Sequence, residues 1–360
     1  MDKNILYILI LGLISSIFSL LLLLKFTPLI IRVALKNKFF DSPDQRKQKS
    51  FKTVRIGGLG IFISYFLAIF FFVIANYLFE ITPLNNKYLL IFLLSSFSFF
   101  GIGFIDDFIN LSPIIRLISQ FIFAFFIWFN NIKIDNISFP FLVEKFQILI
   151  PNSLSLFLTS FWIVGLINAL NWMDGIDGLA TGISIICNFT FMIFCLSKGE
   201  YTLFLLTCSI LGSTLGFLRF NHAPSKILMG DGGSYLLGIN IALFGLAIFS
   251  TSSLNSQSKF VLTDILTPSI ILCIPILDSI RVSINRIIKG YSPFFPDRTH
   301  IHHLLMNLKF SEQETVNILY LLHFLVCLVA LWLNKIDLKY SLMMFLALIS
   351  FRQIIIYKRK

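Results

Sequence analysis

The run NALNWMDGIDGLA, residues 168–180, decides the fold. It lies between two apolar stretches, at about 153–171 and 178–197, each long enough to cross a bilayer. Two asparagines (Asn168, Asn171) and two aspartates (Asp174, Asp177) recur at intervals of three. On a helix such neighbours share one surface, and Gly175 and Gly178 mark where the helix ends or bends. Amides and carboxylates set into apolar sequence are costly unless they face water, a cation or a polar ligand. The alternative, an ordinary polar loop between membrane helices, is disfavoured because such loops are rarely this regular and usually carry Lys or Ser.

Composition sets the class. Hydrophobic residues make up 57% of the 360 and charged residues 13%, with a mean hydropathy of +0.86, far from a soluble globular profile. At roughly 20 apolar residues per crossing, the chain reads as an all-α polytopic integral membrane protein. Eleven spans are expected, at about 4–25, 59–79, 88–105, 113–131, 153–171, 178–197, 201–219, 235–252, 265–287, 316–333 and 338–356, with ten as the alternative count. The first run has one lysine before it and no small-residue cleavage site, so it is expected to be a membrane helix and not a signal peptide. The net charge of +11 follows from membrane orientation and does not imply a nucleic-acid partner. Of the 29 Lys and Arg, 21 fall on one set of alternating turns and 8 on the other. The positive-inside rule then puts the first set in the cytoplasm, the N-terminus outside and the C-terminus inside. Residues 1–360 are expected to form a single transmembrane catalytic domain with its site in the cytoplasmic loops. The connection 132–152 is expected to form an outer-face hairpin. Cys187, Cys195, Cys208, Cys273 and Cys327 lie in or beside apolar segments with no C-x-x-C pair, and read as packing residues.

The remaining polar clusters all fall on the cytoplasmic set of turns. The loop at 41–58 carries Arg46, Lys47, Lys49, Lys52 and Arg55 ahead of Gly57 and Gly58. Such residues attract anionic headgroups or nucleotide phosphates, and topogenic charge is the evenly weighted alternative. Asp106 and Asp107 follow the third span, with Arg116 nine residues after the pair. Adjacent carboxylates repel each other, so the pair suggests a divalent cation or proton transfer, against an exposed acidic turn. The run GDGGS at 230–234 opens the eighth span, where Asp231 would cap the helix or hold Mg2+ against a phosphate. Asp278 and Arg281 read as a structural i,i+3 pair. The run SPFFPDRTHIHH at 292–303 then supplies Arg298, His300, His302 and His303. As a zinc site it is poor, lacking cysteine and i,i+4 histidines; as a phosphate-recognition loop it offers an Arg fork and His donors. His222 and His323 stand alone and read as satisfied structural residues. Phosphoryl chemistry between a soluble nucleotide and a lipid phosphate fits these clusters better than transport, which would want polar residues at mid-membrane.

Taken in this order and on one membrane side, Gly57-Gly58, Asp106-Asp107, the 168–180 run, GDGGS, Pro275 with Asp278, and Arg298 with the His cluster resemble the polyprenyl-phosphate N-acetylhexosaminyl-1-phosphate transferases of glycosyltransferase family 4. The likeness covers most of the chain, from Pro43 to His303. The Asp-Arg-x-His-Ile-His-His form is closer to the UDP-GlcNAc-using, WecA/TagO-like branch than to the related MraY branch, which uses UDP-MurNAc-pentapeptide. The resemblance implies transfer of N-acetylhexosamine-1-phosphate, GlcNAc-1-phosphate foremost, from a UDP-sugar to undecaprenyl phosphate with release of UMP. This reaction would initiate cell-envelope glycan synthesis (lipopolysaccharide O-antigen or teichoic acid) at the cytoplasmic face of the bacterial inner membrane. It implies Mg2+ as cofactor, with Mn2+ as a substitute, and Asn171 and Asp231 as its ligands. Asp106 and Asp107 match the catalytic carboxylates. Arg116, Asn168, Asp174, Asp177, Arg298, His300, His302 and His303 match the substrate-binding set. The implied partners are UDP-N-acetylhexosamine, undecaprenyl phosphate and the lipid bilayer, with a homodimer as an option. An MraY-type enzyme and a lipid-phosphate transporter are the alternatives. Three positions depart from the family pattern: Arg116 where Lys is usual, Lys49 where His is expected, and Val54 where Pro precedes the arginine.

Overall fold

The computed structural model describes residues 3–39, 53–139, 146–250, 265–295 and 297–334. Twelve α-helices lie among them: α1 (Lys3–Lys36), α2 (Gly58–Phe79), α3 (Asn86–Ile109), α4 (Pro113–Phe129), α5 (Asn152–Met173), α6 (Leu179–Lys198), α7 (Tyr201–Asn221), α8 (Gly230–Ser250), α9 (Leu266–Ile271), α10 (Cys273–Ile288), α11 (Ile301–Asn307) and α12 (Glu312–Leu333). One antiparallel hairpin, β1 (Asn136–Phe139) and β2 (Phe146–Leu149), pairs Asn136 with Leu149 inside the 132–152 connection where a hairpin was expected. The protein is therefore a polytopic helical bundle with a small β addition.

Eight of these helices (α1, α2, α3, α5, α6, α7, α8 and α12) are long and apolar enough to cross a membrane. Two of the eleven expected spans come out differently. The fourth is α4, a 17-residue apolar helix. The ninth is broken at Leu272 into α9 and α10; Pro275 has no N–H to give the Ile271 carbonyl, so the helical ladder cannot run through. The run 338–356 lies outside the described residues. The first span also continues past its expected end at residue 25 to Lys36. Apolar residues go on beyond Lys25, and Thr27 returns its hydroxyl to the Leu23 carbonyl at 2.9 Å, so Lys25, Arg32 and Lys36 ride on helix and not on loop.

α8 is the axis of the bundle. It packs against α3, α5, α2 and α6, and the apolar window of its span is wholly buried. Its first turn is approached closely from two sides. A Cβ at Gly103 of α3 would sit 2.3 Å from the Asp231 carbonyl oxygen, and one at Gly58 of α2 would sit 2.3 Å from the Gly233 nitrogen. Only glycine permits that contact. The segment before α2 is zipped onto the segment before α8: Leu228 N–H donates to Val54 O (2.8 Å), Gly57 N–H to Leu228 O (2.9 Å) and Gly58 N–H to Met229 O (2.8 Å). At mid-bundle a polar chain ties α2, α8 and α3, with the Tyr65 hydroxyl donating to Asn240 and the Asn240 amide donating to Ser96. These contacts fix the start of α8 relative to the ends of α3 and α5, and that is where the polar residues gather.

Candidate active site

The first cluster forms where α3 ends and α8 begins. α3 runs through Asp106 and Asp107 to Ile109, so the pair lies in the last helical turn and not in the following loop. Asp106 is 3% exposed. One of its oxygens accepts the Leu111 N–H at 2.7 Å, and the other accepts Arg116 Nη1 at 2.8 Å. Asp107 turns the other way and accepts the Asp231 and Gly232 backbone N–H groups at 2.8 and 3.0 Å. It thus caps α8 from a neighbouring helix, the role that the sequence alone offers to Asp231. Asp231, relieved of capping, presents its carboxylate to the Asn171 amide at 2.8 Å and to Arg55 Nη2 at 3.2 Å, with Arg116 Nη1 at 3.9 Å. Asn171 also donates to Ser234 Oγ at 2.9 Å. Asn168, one turn back on α5, donates to the fully buried Gln120 of α4 at 2.7 Å and to the Val164 carbonyl.

The donor set suits a hard divalent cation in kind. Asp231 supplies carboxylate oxygen, and a half-turn of the Asn171 amide would bring its oxygen to the same place, since the two ends of the group are alike in shape. Among the described residues no three His, Cys, Asp or Glu side chains converge as a ready cage. The positive charge opposite the carboxylates comes from Arg55 and Arg116.

The second cluster is the histidine loop, held on α10. Asp278 accepts His300 Nδ1 at 2.8 Å, the Ile301 N–H at 2.9 Å and Arg281 Nη2 at 2.7 Å. The Asp278–Arg281 pair is the structural anchor expected, and the same carboxylate also sets the histidine. Arg286, 5% exposed, donates to Asp297 at 2.7 Å and to the Pro293 carbonyl at 2.6 Å, and lies 5.4 Å from the Trp172 ring centroid. Burial raises the Asp297 carboxyl, but the bonds from Arg286 and Thr299 outweigh it and hold its pKa down to about 2. His302 is 1% exposed, and neither ring nitrogen has a hydrogen-bond partner. Burial, then the neighbouring His303 and His300, pushes its pKa down to about 3, so it is neutral at physiological pH. A Cβ on Gly175 would lie 2.6 Å from His302 Nε2; the loop docks directly on the 168–180 run. Burial also lowers the pKa of His303, helped by His300 and Arg298. Arg298 is exposed.

The four polar residues of the 168–180 run do not share one surface. α5 stops at Met173, with Asp174 as its C-cap. Asp177 is buried elsewhere: it accepts the Ser225 N–H at 2.8 Å while its own N–H donates to Glu312 of α12 at 2.9 Å. α12 adds Gln313 on the Ala223 carbonyl and the Tyr320 hydroxyl on the Gly178 carbonyl, clamping the turn that follows α5. Of the two lone histidines, His222 bonds the Ala223 carbonyl and His323 faces the Cys187 sulfur at 3.1 Å.

The sequence alone does not single out Arg55, Gln120, Trp172, Arg286, Asp297 or Glu312 as site residues. In the sequence Arg55 is one basic residue of a basic loop. For Arg286 the signal existed, because an arginine within an apolar helical run is expensive unless it has a dedicated partner.

The membrane-length helices thus gather carboxylates, guanidinium groups and imidazoles at one end of the bundle. The chain belongs to glycosyl transferase family 4, whose sequence profile matches residues 89–249, the stretch from α3 to α8. It is 35% identical over 342 residues, 95% of this chain and 90% of the relative, to the probable undecaprenyl-phosphate N-acetylglucosaminyl 1-phosphate transferase of Bacillus subtilis (strain 168). It is 26% identical over 310 residues (84% and 79%) to the undecaprenyl-phosphate alpha-N-acetylglucosaminyl 1-phosphate transferase of Salmonella typhi. A phospho-N-acetylmuramoyl-pentapeptide-transferase of Streptococcus uberis is 35% identical over 199 residues, 52% and 55% of the two chains.

Proposed function

We propose that the protein transfers GlcNAc-1-phosphate from UDP-GlcNAc to undecaprenyl phosphate, releasing UMP and leaving undecaprenyl-pyrophosphoryl-GlcNAc. The observation that carries this reading is the convergence of Asp106, Asp107 and Asp231 with Arg55 and Arg116 at one end of the bundle, in a chain whose near-full-length relative bears that name. An oxygen of the acceptor phosphate attacks the sugar-bearing β-phosphorus of the donor, and the bond from that phosphorus to the UMP oxygen breaks. The acceptor's second pKa is about 6, so it is largely ionised near neutrality and needs no strong base. The barrier lies in bringing two anions together.

Arg116, oriented by Asp106, screens the phosphates. The loop at 297–303, set by Asp278 and Arg286, grips the donor through the exposed Arg298 and the half-buried His303, while Asp174 and Asn168 frame the nucleotide side and the buried His300, His302 and Asp177 hold the surrounding turns in place. Mg2+ is the proposed cofactor, with Mn2+ as a substitute; held by Asp231 and Asn171, it would supply Lewis-acid charge neutralisation at the diphosphate. The polar end is assigned to the cytoplasmic face of a bacterial inner membrane, with the N-terminus outside and the C-terminus inside. The 21-to-8 distribution of basic residues supports this. The glycan fed would be of the cell envelope.

The test is UMP release by the purified protein with undecaprenyl phosphate and a panel of UDP-sugars, with and without EDTA. Metal-dependent UMP from UDP-GlcNAc supports the whole reading. UMP from UDP-MurNAc-pentapeptide alone would move the protein to the activity that the Streptococcus uberis relative is named for. No UMP from any donor would refute the reaction.

A further inference from the structure

Arg55 stands among the converging carboxylates without a step of its own in the transfer described above. Its backbone is pinned by the bonds of the 54–58 segment to residues 228 and 229, two positions before Asp231. Its guanidinium reaches into the gap between α3 and α8, with Nε 3.5 Å from Asp107 and Nη2 3.2 Å from Asp231. The two carboxylates are 2% and 14% exposed, whereas the Arg55 side chain is 36% exposed. The cation is therefore the most exposed member of the triad.

Two buried carboxylates from packed helices are costly without positive charge between them. Arg55 provides it, and the Asp231 oxygen it contacts is the one that also accepts Asn171. A divalent cation held by Asp231 and Asn171 would need that oxygen or its immediate surroundings. Arg116 competes less, because its near contact is Asp106 at 2.8 Å and its distance to Asp231 is 3.9 Å.

We propose that Arg55 is an exchangeable counter-ion: it neutralises the Asp107–Asp231 pair when no divalent cation is present and gives up Asp231 when one binds. The inference rests on the cation reading above. Its consequence is that cation affinity in the free protein is held below what the carboxylates alone would give, so Arg55 is a positioning residue whose loss strengthens metal binding.

The experiment is Mn2+ titration of the full-length protein in detergent, following free Mn2+ by electron paramagnetic resonance. Wild type, Arg55→Ala, Arg55→Gln and Asp231→Asn are compared. Arg55→Ala should lower the Mn2+ dissociation constant by about tenfold or more, which is about 1.4 kcal/mol, and Asp231→Asn should abolish binding. Should Arg55→Ala not fold, Arg55→Gln, which removes the charge and keeps a donor, decides in its place with the same direction of change. A dissociation constant unchanged or raised by loss of the Arg55 charge, with Asp231→Asn still abolishing binding, overturns the counter-ion role and leaves the cation reading standing. Absence of Mn2+ binding in wild type and in the Arg55 variants would overturn the cation reading, and the counter-ion role with it.

Discussion

Asp278→Asn tests whether the histidine loop is held in a working shape by α10. The native carboxylate accepts His300 Nδ1, the Ile301 N–H and Arg281. Asparagine fills the same volume and keeps one oxygen acceptor, so the Ile301 bond can survive. Ile301 and Arg281 share one carboxylate oxygen and His300 has the other, so the NH2 end then meets the His300 Nδ1 donor and that bond to a charged carboxylate is lost. Such bonds contribute about 1.5–3 kcal/mol; if that orientation is realised in the transition state, transfer falls roughly 10- to 150-fold. The assay is the initial rate of UMP release at varied UDP-GlcNAc, paired with thermal unfolding in detergent. The variant should stay folded and lose kcat/KM, because the substitution keeps the side-chain volume and its partners lie on α10 itself and in the histidine loop. A rate within twofold of wild type would refute the idea that Asp278 sets the histidine loop for catalysis.

Three further outcomes follow from the same geometry. His302 has a folded pKa of about 3 against about 6.5 in an unfolded chain. Between these values the unfolded state holds the extra proton, so stability rises with pH and is lost as pH falls below 6.5; from pH 7 to 5 the loss is about 2 kcal/mol. Melting temperatures of wild type and His302→Asn across that range should diverge from parallel, with the variant flatter. Asp107→Ala removes the cap of α8 and leaves two N–H groups without partners; it should cost about 1–2 kcal/mol of stability, read by denaturation, whereas Asp106→Asn should cost activity first, read by UMP release. Gly103→Ala places a methyl 2.3 Å from the Asp231 carbonyl oxygen; overpacking of about 1–3 kcal/mol, together with loss of transfer, is expected, and a variant of native melting temperature and rate would show that α3 and α8 can separate there.

The polar clusters were legible because each is an expensive intrusion into apolar sequence, and their order along the chain carried the family resemblance. What each residue does locally was harder to read. Asp107 and Asp231 are equivalent by composition, yet a helix 124 positions earlier in the chain caps α8, and no local pattern encodes that. The spacing of three in 168–180 suggested one continuous face, but α5 ends before the repeat does and Asp177 goes to α12. The first helix ran past Lys25 because a charge at a membrane boundary need not end a helix, only a span. The break at Leu272 was written in Pro268 and Pro275, although hydropathy averaged over it. Arg286 and Arg55 were hidden among 29 basic residues, most of which orientation alone explains; burial and partners distinguish them. The rest of the basic loop, Arg46, Lys47, Lys49 and Lys52, lies outside the described residues.

The polar end draws on Arg55 before α2, the end of α3, the start of α4, the end of α5, the start of α8, the lower part of α10 and the first turn of α12. No single hairpin of helices contains more than a fraction of it. While the chain is being threaded into a bilayer from its N-terminus, Asp106 and Arg116 are delivered early, but Asp231 comes more than a hundred residues later and the histidine loop some seventy after that. A nascent or truncated protein therefore holds an incomplete set of charges at every stage. The full set of charges is present only once α12 has been made, and two co-expressed fragments divided between α8 and α9 would each hold only part of it.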